Sequence, residues 1–334
     1  MSRIVSTTAT VVLAAGLAAI LTGCSGSDRP TADARTPATG EASGTVQVDV
    51  ACDPLPDLPE GRIAYIQTRE DGTDAVFLMK PDGTDRHCLV ETPGSDIDPA
   101  WSPDGRWLAF VGGTLEDGRD VYVLRADGTR LRQLTFTDDV ESDLVWSPDG
   151  TRIGYTSEDG VDGPSTIHVM SSRDGSTNIV VLGDSPNQEG HPELQDWGND
   201  PNTLLFRGTH GGRPGLWTIR LDGTQFQFRG GNRAEYGNGA AYSPDGRSLV
   251  FQADLEGGCI FKSDAAGKNL VRLTQGCAEG VILTWSPDGR WIAWSGGEKG
   301  PTDAQMMAAD GSQVHTIADG SDVAYVAWQP ATTS

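Results

Sequence analysis

The feature that most constrains this chain is a short turn that recurs along it. The unit reads Trp or Tyr, then Ser-Pro-Asp-Gly, and a short apolar run follows it. Proline fixes φ at the first central position of a type I turn, Asp suits the second position, and Gly readily closes the turn. Each unit therefore predicts the end of one β-strand and the beginning of the next. Complete turns occur at 102–105, 147–150, 243–246 and 286–289.

The aromatic residue of this unit recurs at intervals of 43 to 51 residues. A nearly fixed period of this length marks a repeat array, and four strands per period are typical of a propeller blade. Near-continuous apolar runs in antiparallel strands indicate sheets that are covered on both faces, as stacked blades are. The aromatic positions are Trp101, Trp146, Trp197, Tyr242, Trp285 and Trp328.

The strand pattern is offset at the two ends of the chain. The first set of three apolar runs, from Gly61, lacks an aromatic strand before it, whereas the strand from Val323 to Trp328 lacks a set after it. Pairing the two ends would remove two exposed strand edges. The sequence therefore predicts an all-β fold, a six-bladed β-propeller of four-stranded antiparallel blades, in which the C-terminal strand completes the N-terminal blade.

The N-terminus has the pattern of a bacterial lipoprotein signal. Arg3 precedes an apolar run at 11–21 that is too short to span a bilayer stably, and Leu21-Thr22-Gly23-Cys24 fits a lipobox. The alternative is an ordinary signal peptide with an incidental cysteine. We expect lipid, such as palmitate, on Cys24 and a location at the extracytoplasmic face of the cell membrane. The predicted segments are a signal peptide at 1–23, a flexible tether at 24–56 and the propeller at 57–330.

Export to an oxidising compartment favours disulfides for the other four cysteines, whose spacing fits no zinc site. Cys259 begins one predicted strand and Cys277 follows the next. The start of one strand lies beside the end of its antiparallel partner, so the pattern predicts a Cys259–Cys277 disulfide. Elimination then leaves Cys52 to pair with Cys88.

The acidic composition excludes some classes of partner. The formal net charge is −22, with 47 acidic residues against 25 lysines and arginines. Such a chain is repelled by phosphate backbones and anionic headgroups, so nucleic-acid binding is not expected. The sequence has no nucleophile elbow, zinc-protease motif, phosphate-binding loop or complete calcium loop. We therefore predict a monomeric protein that is not an enzyme and that binds no cofactor and no metal.

Residues 101–135 and 285–294 combine the Trp-Ser-Pro-Asp-Gly-Arg turn with apolar strands, and 101–135 adds an Asp-Gly turn and an Arg-Gln-Leu-Thr ending. In these features the chain resembles the TolB-like (PD40, WD40-like) β-propeller repeat family over about residues 57–330. The resemblance implies the propeller fold. Residues 24–56 are too few and too polar to build the additional N-terminal domain that TolB carries.

Alternating strand direction places the regular Gly turns on one rim of such a propeller and the irregular loops on the other. Variable loops on a rigid scaffold commonly bind ligands. The longest irregular loop spans 183–195. The candidate binding surface beside it consists of His191, Glu193, His210, Arg213, Arg233 and Tyr236.

These features favour a lipid-anchored, non-catalytic scaffold that binds an envelope or cell-surface protein or peptide. The alternative is a carbohydrate-active propeller enzyme, similar to a polysaccharide lyase, or a glycan-binding protein. Its central cleft would use His, Arg and Tyr side chains for charge stabilisation and proton transfer. A third hypothesis is calcium-dependent binding by the acidic residues Glu116, Asp117, Asp138, Asp139, Glu141 and Asp143.

Overall fold

The computed structural model describes residues 61–116, 118–160, 163–183, 191–230, 239–253, 259–274, 282–295, 303–318 and 323–331. None of these residues belongs to a helix long and apolar enough to cross a membrane. The predicted signal peptide, the lipidation site at Cys24 and the tether at 24–56 lie outside the described residues. So do Asp117, Cys52, Cys277, Arg233 and Tyr236.

The described residues form β-strands joined by turns. In chain order the strands are β1 (Ile63–Thr68), β2 (Asp74–Met79), β3 (His87–Val90), β4 (Ile97–Trp101), β5 (Trp107–Thr114), β6 (Gly118–Arg125), β7 (Arg132–Gln133), β8 (Val140–Trp146), β9 (Arg152–Glu158), β10 (Ser165–Ser171), β11 (Ile179–Leu182), β12 (Glu193–Asp196), β13 (Thr203–His210), β14 (Arg213–Arg220), β15 (Gln227–Gly230), β16 (Ala241–Tyr242), β17 (Ser248–Ala253), β18 (Cys259–Asp264), β19 (Val271–Arg272), β20 (Ile282–Trp285), β21 (Trp291–Ser295), β22 (Ala304–Ala308), β23 (His315–Ala318) and β24 (Val323–Trp328).

The strands form antiparallel sheets whose members follow one another along the chain. One sheet has the order β24-β1-β2-β3, and others contain β12 to β15, β16 to β19, and β20 to β23. The strands β4 to β7 and β8 to β11 form a joint sheet, because Arg119 of β6 pairs in parallel with Val140 of β8. The innermost strands contact one another in the cyclic order β24, β4, β8, β12, β16 and β20. The prediction of an all-β propeller of antiparallel sheets is confirmed.

The Ser-Pro-Asp-Gly turn satisfies its own polar groups. In the turn before β5, Ser102 Oγ donates to Asp104 Oδ1 at 2.6 Å and accepts the Trp107 N–H at 2.9 Å, while Gly105 N donates to Ser102 O at 2.8 Å. The other three complete turns repeat these bonds. The carboxylate is therefore held as part of the turn.

The repeat aromatics join neighbouring innermost strands. Trp101 Nε1 donates to Ala327 O at 3.2 Å, Trp146 Nε1 to Ala100 O at 2.9 Å, and Trp285 Nε1 to Ala241 O at 3.2 Å. In each case the indole of one innermost strand reaches the backbone of the preceding innermost strand. The indole N–H is satisfied while its ring packs in the apolar layer between sheets.

Gln329 connects the end of the described chain to two sheets. Its backbone N–H donates to Arg62 O at 2.8 Å, and its Oε1 accepts the Arg62 N–H at 3.2 Å. Its Nε2 donates to Gly105 O at 2.8 Å. The side chain is 4% exposed, so these bonds are shielded from water.

The predicted Cys259–Cys277 disulfide is not formed, since Cys259 is a free, buried cysteine. The physical reason is the position of its side chain. Cys259 packs in an apolar cluster with Leu205, Leu216 and Phe251, between the sheet of β13 and the sheet of β17. Cys88 is disulfide-bonded; its pairing with Cys52 stays a prediction, because Cys52 lies outside the described residues.

Candidate functional site

Three innermost strands, β4, β8 and β24, carry a bulge three residues before the repeat aromatic. The pairing of β4 with β5 skips between Ile97 and Ala100, and that of β8 with β9 skips between Ser142 and Val145. At this position Asp98 has φ 51°, Asp143 has φ 56° and Tyr325 has φ 48°. A bulge adds a residue to one strand and re-aims its side chain. The bulges thus direct polar side chains away from the apolar layers.

These side chains meet in a central cavity of about 340 Å³. Its volume falls in the range of about 300–1,000 Å³ that is common for small-ligand sites. The cavity lies near the beginning of the innermost strands, and the Ser-Pro-Asp-Gly turns follow their ends, so it lies toward the opposite rim. The same repeat position, three residues before the aromatic, contributes to the wall from five innermost strands and, for β16, from the segment two residues before it: Asp98, Asp143, Leu194, Gly239, Ile282 and Tyr325.

A chain of hydrogen bonds fixes the carboxylates of the cavity. Asp143 N donates to Asp98 Oδ2 at 2.9 Å, and Thr156 Oγ1 donates to Asp143 Oδ2 at 2.8 Å. Glu193 is held differently, since Arg207 Nε donates to its Oε2 at 2.8 Å in an ion pair. Glu193 is therefore neutralised by Arg207, whereas Asp98 and Asp143 are held mainly by uncharged donors.

Burial and mutual repulsion make the ionised forms of Asp98 and Asp143 costly. Burial raises the pKa of Asp98, although a backbone hydrogen bond and the charge of Arg119 oppose the shift. Burial also raises the pKa of Asp143, and the charges of Asp98 and Glu193 raise it further. The charge of Asp98 is the largest influence that raises the pKa of Tyr325. A cation entering the cavity would relieve this repulsion. A proton held by the Asp98–Asp143 pair would relieve it as well.

The predicted surface residues divide between the cavity and the rim. Glu193 lies in the cavity wall, and His191 is exposed just before β12. His210 pairs with Arg213 at the tip of the β13–β14 hairpin. Arg233 and Tyr236 lie outside the described residues.

Aromatic contacts hold the two hairpin residues away from the cavity wall. The His210 ring stacks on Phe226 with centroids 3.7 Å apart, and the Arg213 guanidinium lies 3.3 Å from the centre of the Phe228 ring. The structure thus brings Glu193 to the cavity and leaves His210 and Arg213 in an aromatic cluster on one sheet.

Asp98, Asp143 and Tyr325 were not predicted from the sequence as a group. The available signal was a polar residue three positions before the repeat aromatic, inside an otherwise apolar strand. Asp143 was considered only as a calcium ligand. Among the residues that the structure describes, no group of three or more His, Cys, Asp or Glu side chains is arranged to hold a metal ion.

Comparison with known proteins agrees with the fold. Crystalline TolB from Acinetobacter baumannii superposes with a TM-score of 0.69 and 18% identity, covering 81% of this chain and 67% of that chain. A chain of the nidogen/laminin complex gives a TM-score of 0.64 at 13% identity, covering 80% of this chain and 98% of that chain. Oligogalacturonate lyase in complex with manganese gives a TM-score of 0.53 at 17% identity, covering 77% of this chain and 73% of that chain.

At these identities the structural likeness shows the fold alone. No curated protein sequence matches the chain. The family described as TolB beta propeller domain matches residues 56–195. The predicted resemblance to TolB-type β-propellers is thereby confirmed, and the family match covers residues 56–195 of this chain.

Proposed function

We propose that this protein is a peptide-binding propeller that takes a cationic side chain into its central cavity. The observation that carries the proposal is the Asp98–Asp143 pair. Both carboxylates line the cavity, and no ion pair within 4 Å joins either of them to a described residue. A lysine or arginine side chain would supply the missing charge.

The surroundings of the pair support a peptide rather than a bare ion. The wall also contains Gln195, Leu144 and Leu283, so polar and apolar groups alternate around the carboxylates. Sites that bind organic ligands have this composition, with a few placed polar groups on a largely apolar wall. The non-catalytic scaffold predicted from the sequence would act through this cavity.

A six-bladed ring, closed by β24, is the scaffold in this proposal. Three contacts support it: β24 pairs with β1, Trp101 reaches Ala327, and Gly83 packs against Ile317 O of β23. Each of these contacts joins the two ends of the chain. Closure would make the cavity rigid, because each innermost strand is then held by two neighbours.

A peptide-display selection tests the proposal. The mature chain is used as target, and the Asp98→Asn/Asp143→Asn double variant is used for counter-selection. The expected result is enrichment of peptides with Lys or Arg that bind the native chain and not the variant. Recovery of peptides without a cationic residue, or of peptides that bind both proteins equally, would overturn it.

One observation favours the enzyme hypothesis as a second candidate. Two neighbouring carboxyl groups with raised pKa values allow one to stay protonated while the other is ionised, as acid–base catalysis requires. Incubation with oligogalacturonate, followed by ultraviolet detection of unsaturated products, tests for a lyase. The peptide-binding proposal expects no product.

The membrane location belongs to the same proposal and rests on the Leu21–Cys24 motif. Lipid on Cys24 would place the propeller at the extracytoplasmic face, within reach of envelope proteins. The Cys24→Ala variant should then leave the membrane fraction, and a variant that stays there would refute the anchor.

A further inference from the structure

A second concave site lies on the rim that carries the Ser-Pro-Asp-Gly turns. It is a groove of about 520 Å³ between the turn at 102–105 and the turn at 147–150. Trp107 and Trp146 contribute to its walls, and Arg132 and Arg173 contribute its cationic groups. The central cavity lies at the other end of the innermost strands, so the groove is a separate site.

Arg132 is held in place on the groove wall. Its guanidinium lies 5.2 Å from the centre of the Trp107 ring, and its Nη1 donates to Arg173 O. The guanidinium of Arg125 lies 5.9 Å from the centre of the same ring. A guanidinium fixed by an aromatic face and a carbonyl loses little further entropy when it binds a planar oxyanion.

Two like charges, those of Arg130 and Arg173, act on Arg132. Burial lowers the pKa of Arg132, Asp174 opposes that shift, and the like charges of Arg130 and Arg173 add to it. Arg173 is exposed, and its guanidinium has no hydrogen bond or ion pair within the described ranges. An anion between Arg132 and Arg173 would offset their repulsion.

Two aspartates at the edge of the groove limit the kind of anion. Asp104 Oδ1 accepts Ser102 Oγ at 2.6 Å and the Arg106 N–H at 3.1 Å, and Asp149 has the equivalent bonds in its turn. Hydrogen bonds from Ser147 and Thr151 lower the pKa of Asp149 to about 2, and its negative charge would repel a doubly charged phosphate more than a single carboxylate. The groove therefore favours a carboxylate.

The apolar walls favour a peptide over a sugar as the source of the carboxylate. Arg132 and Arg125 both lie against the Trp107 ring, so this indole is a poor platform for stacking a sugar. Pro103 and Pro148 add apolar contact area at the two turns. We propose that this groove is a second binding site, which takes a Glu or Asp side chain of an acidic peptide segment between Arg132 and Arg173.

Fluorescence anisotropy with the mature chain tests the proposal. The probes are fluorescein-labelled, C-amidated heptapeptides of Gly and Ser with one central Glu, Gln or phosphoserine residue. The Glu peptide should bind at least tenfold more tightly than the Gln peptide and more tightly than the phosphoserine peptide. Equal binding of the Glu and Gln peptides, or no binding of either, would overturn the site. Tighter binding of the phosphoserine peptide would overturn the choice of carboxylate.

Variants locate the binding to the groove. Arg173→Gln changes an exposed side chain and should weaken binding of the Glu peptide by about tenfold without altering the melting temperature. Arg132→Gln should weaken binding of this peptide at least as much. Arg247→Gln, at an exposed arginine directly after the turn at 243–246, is the matched control and should bind normally. Unchanged binding in Arg173→Gln, or tri-galacturonate binding in place of the peptide, would refute the assignment.

Discussion

The backbone N–H of Asp143 donates to Asp98 Oδ2 at 2.9 Å, so the same repeat position in two neighbouring innermost strands is joined directly. Both residues have left-handed backbone conformations, with φ 56° and 51°. The bond thus links two bulges and orients a carboxylate that lines the central cavity.

Substitution of Asp98 should separate stability from binding. Asp98→Ala removes the acceptor and leaves the Asp143 N–H unpaired, at a cost of about 1–3 kcal/mol in the free energy of unfolding. Asp98→Asn keeps an acceptor and removes a charge that burial disfavours, so its stability at pH 8 should equal or exceed that of the native chain. Urea denaturation of both variants checks this. An Asn variant less stable than the Ala variant would contradict it.

Glu141 should make stability depend on pH. Burial raises the pKa of this fully buried carboxyl to about 8, and the charges of Asp120 and Asp139 contribute to the rise. Its Oε2 has no hydrogen-bond partner among the described residues, whereas Oε1 accepts a hydrogen bond from Thr137 Oγ1 at 2.8 Å.

A group whose pKa is raised in the folded state stabilises most below its unfolded pKa, and this contribution is lost as pH rises through the folded pKa. Glu141→Gln should therefore gain stability relative to the native chain as pH rises from 5 to 9, on the order of 4 kcal/mol. Melting temperatures at several pH values measure the gain. Asp310→Asn, at an exposed turn, is the control and should show no such trend. A constant difference between Glu141→Gln and the native chain would be inconsistent with a buried titrating carboxyl.

Gly267 should tolerate no side chain because of a neighbouring sheet. It has φ +75°, and a Cβ there would lie 1.2 Å from Arg229 O of β15. Gly267→Ala should cost on the order of 3 kcal/mol, since backbone strain adds to a displaced contact between sheets.

Gly160 is a matched control, because it has the same φ of +75° and, within the described part of the chain, no atom lies within 4 Å of an added Cβ. Gly160→Ala should cost only about 1 kcal/mol, the conformational part of the effect. Chemical denaturation of the two variants separates strain from steric contact. Equal losses would show that the contact with Arg229 is not tight.

Gln329 should be important for stability although it follows the last strand. Gln329→Ala leaves the Arg62 N–H and Gly105 O without their side-chain partner, and we expect a loss of about 2–4 kcal/mol. Gln313→Ala, at an exposed position, should be nearly neutral.

Truncation after Ser321 removes both β24 and Gln329 and should unfold the domain. A folded, monodisperse truncation product would refute the role of β24.

The fold was predictable because its determinants are local and repeated. Each Ser-Pro-Asp-Gly turn specifies a strand end, and the spacing of Trp101, Trp146 and the later aromatics specifies the period. The offset at the two ends led to the pairing of β24 with β1, and Ile63 does pair with Trp328.

The cavity was not predictable in the same way. A bulge changes where a side chain points without changing the hydrophobic pattern, so Asp98 and Asp143 looked like ordinary polar residues of short strands. Cys259 was misassigned because strand order alone does not show on which side of the sheet a thiol lies. His210 and Arg213 carry suitable chemistry in sequence, yet Phe226 and Phe228 hold them in a separate cluster.

The most direct measurement is the affinity of a lysine-containing peptide from the display selection and of its norleucine counterpart. Norleucine keeps the apolar stem of the side chain and removes the charge. The account predicts at least tenfold weaker binding of the norleucine peptide to the native chain, and a similar loss for the lysine peptide with Asp98→Asn/Asp143→Asn. The exposed-turn control Asp82→Asn should bind normally. Equal affinities for both peptides, or full affinity in the double variant, would contradict a cation-binding cavity.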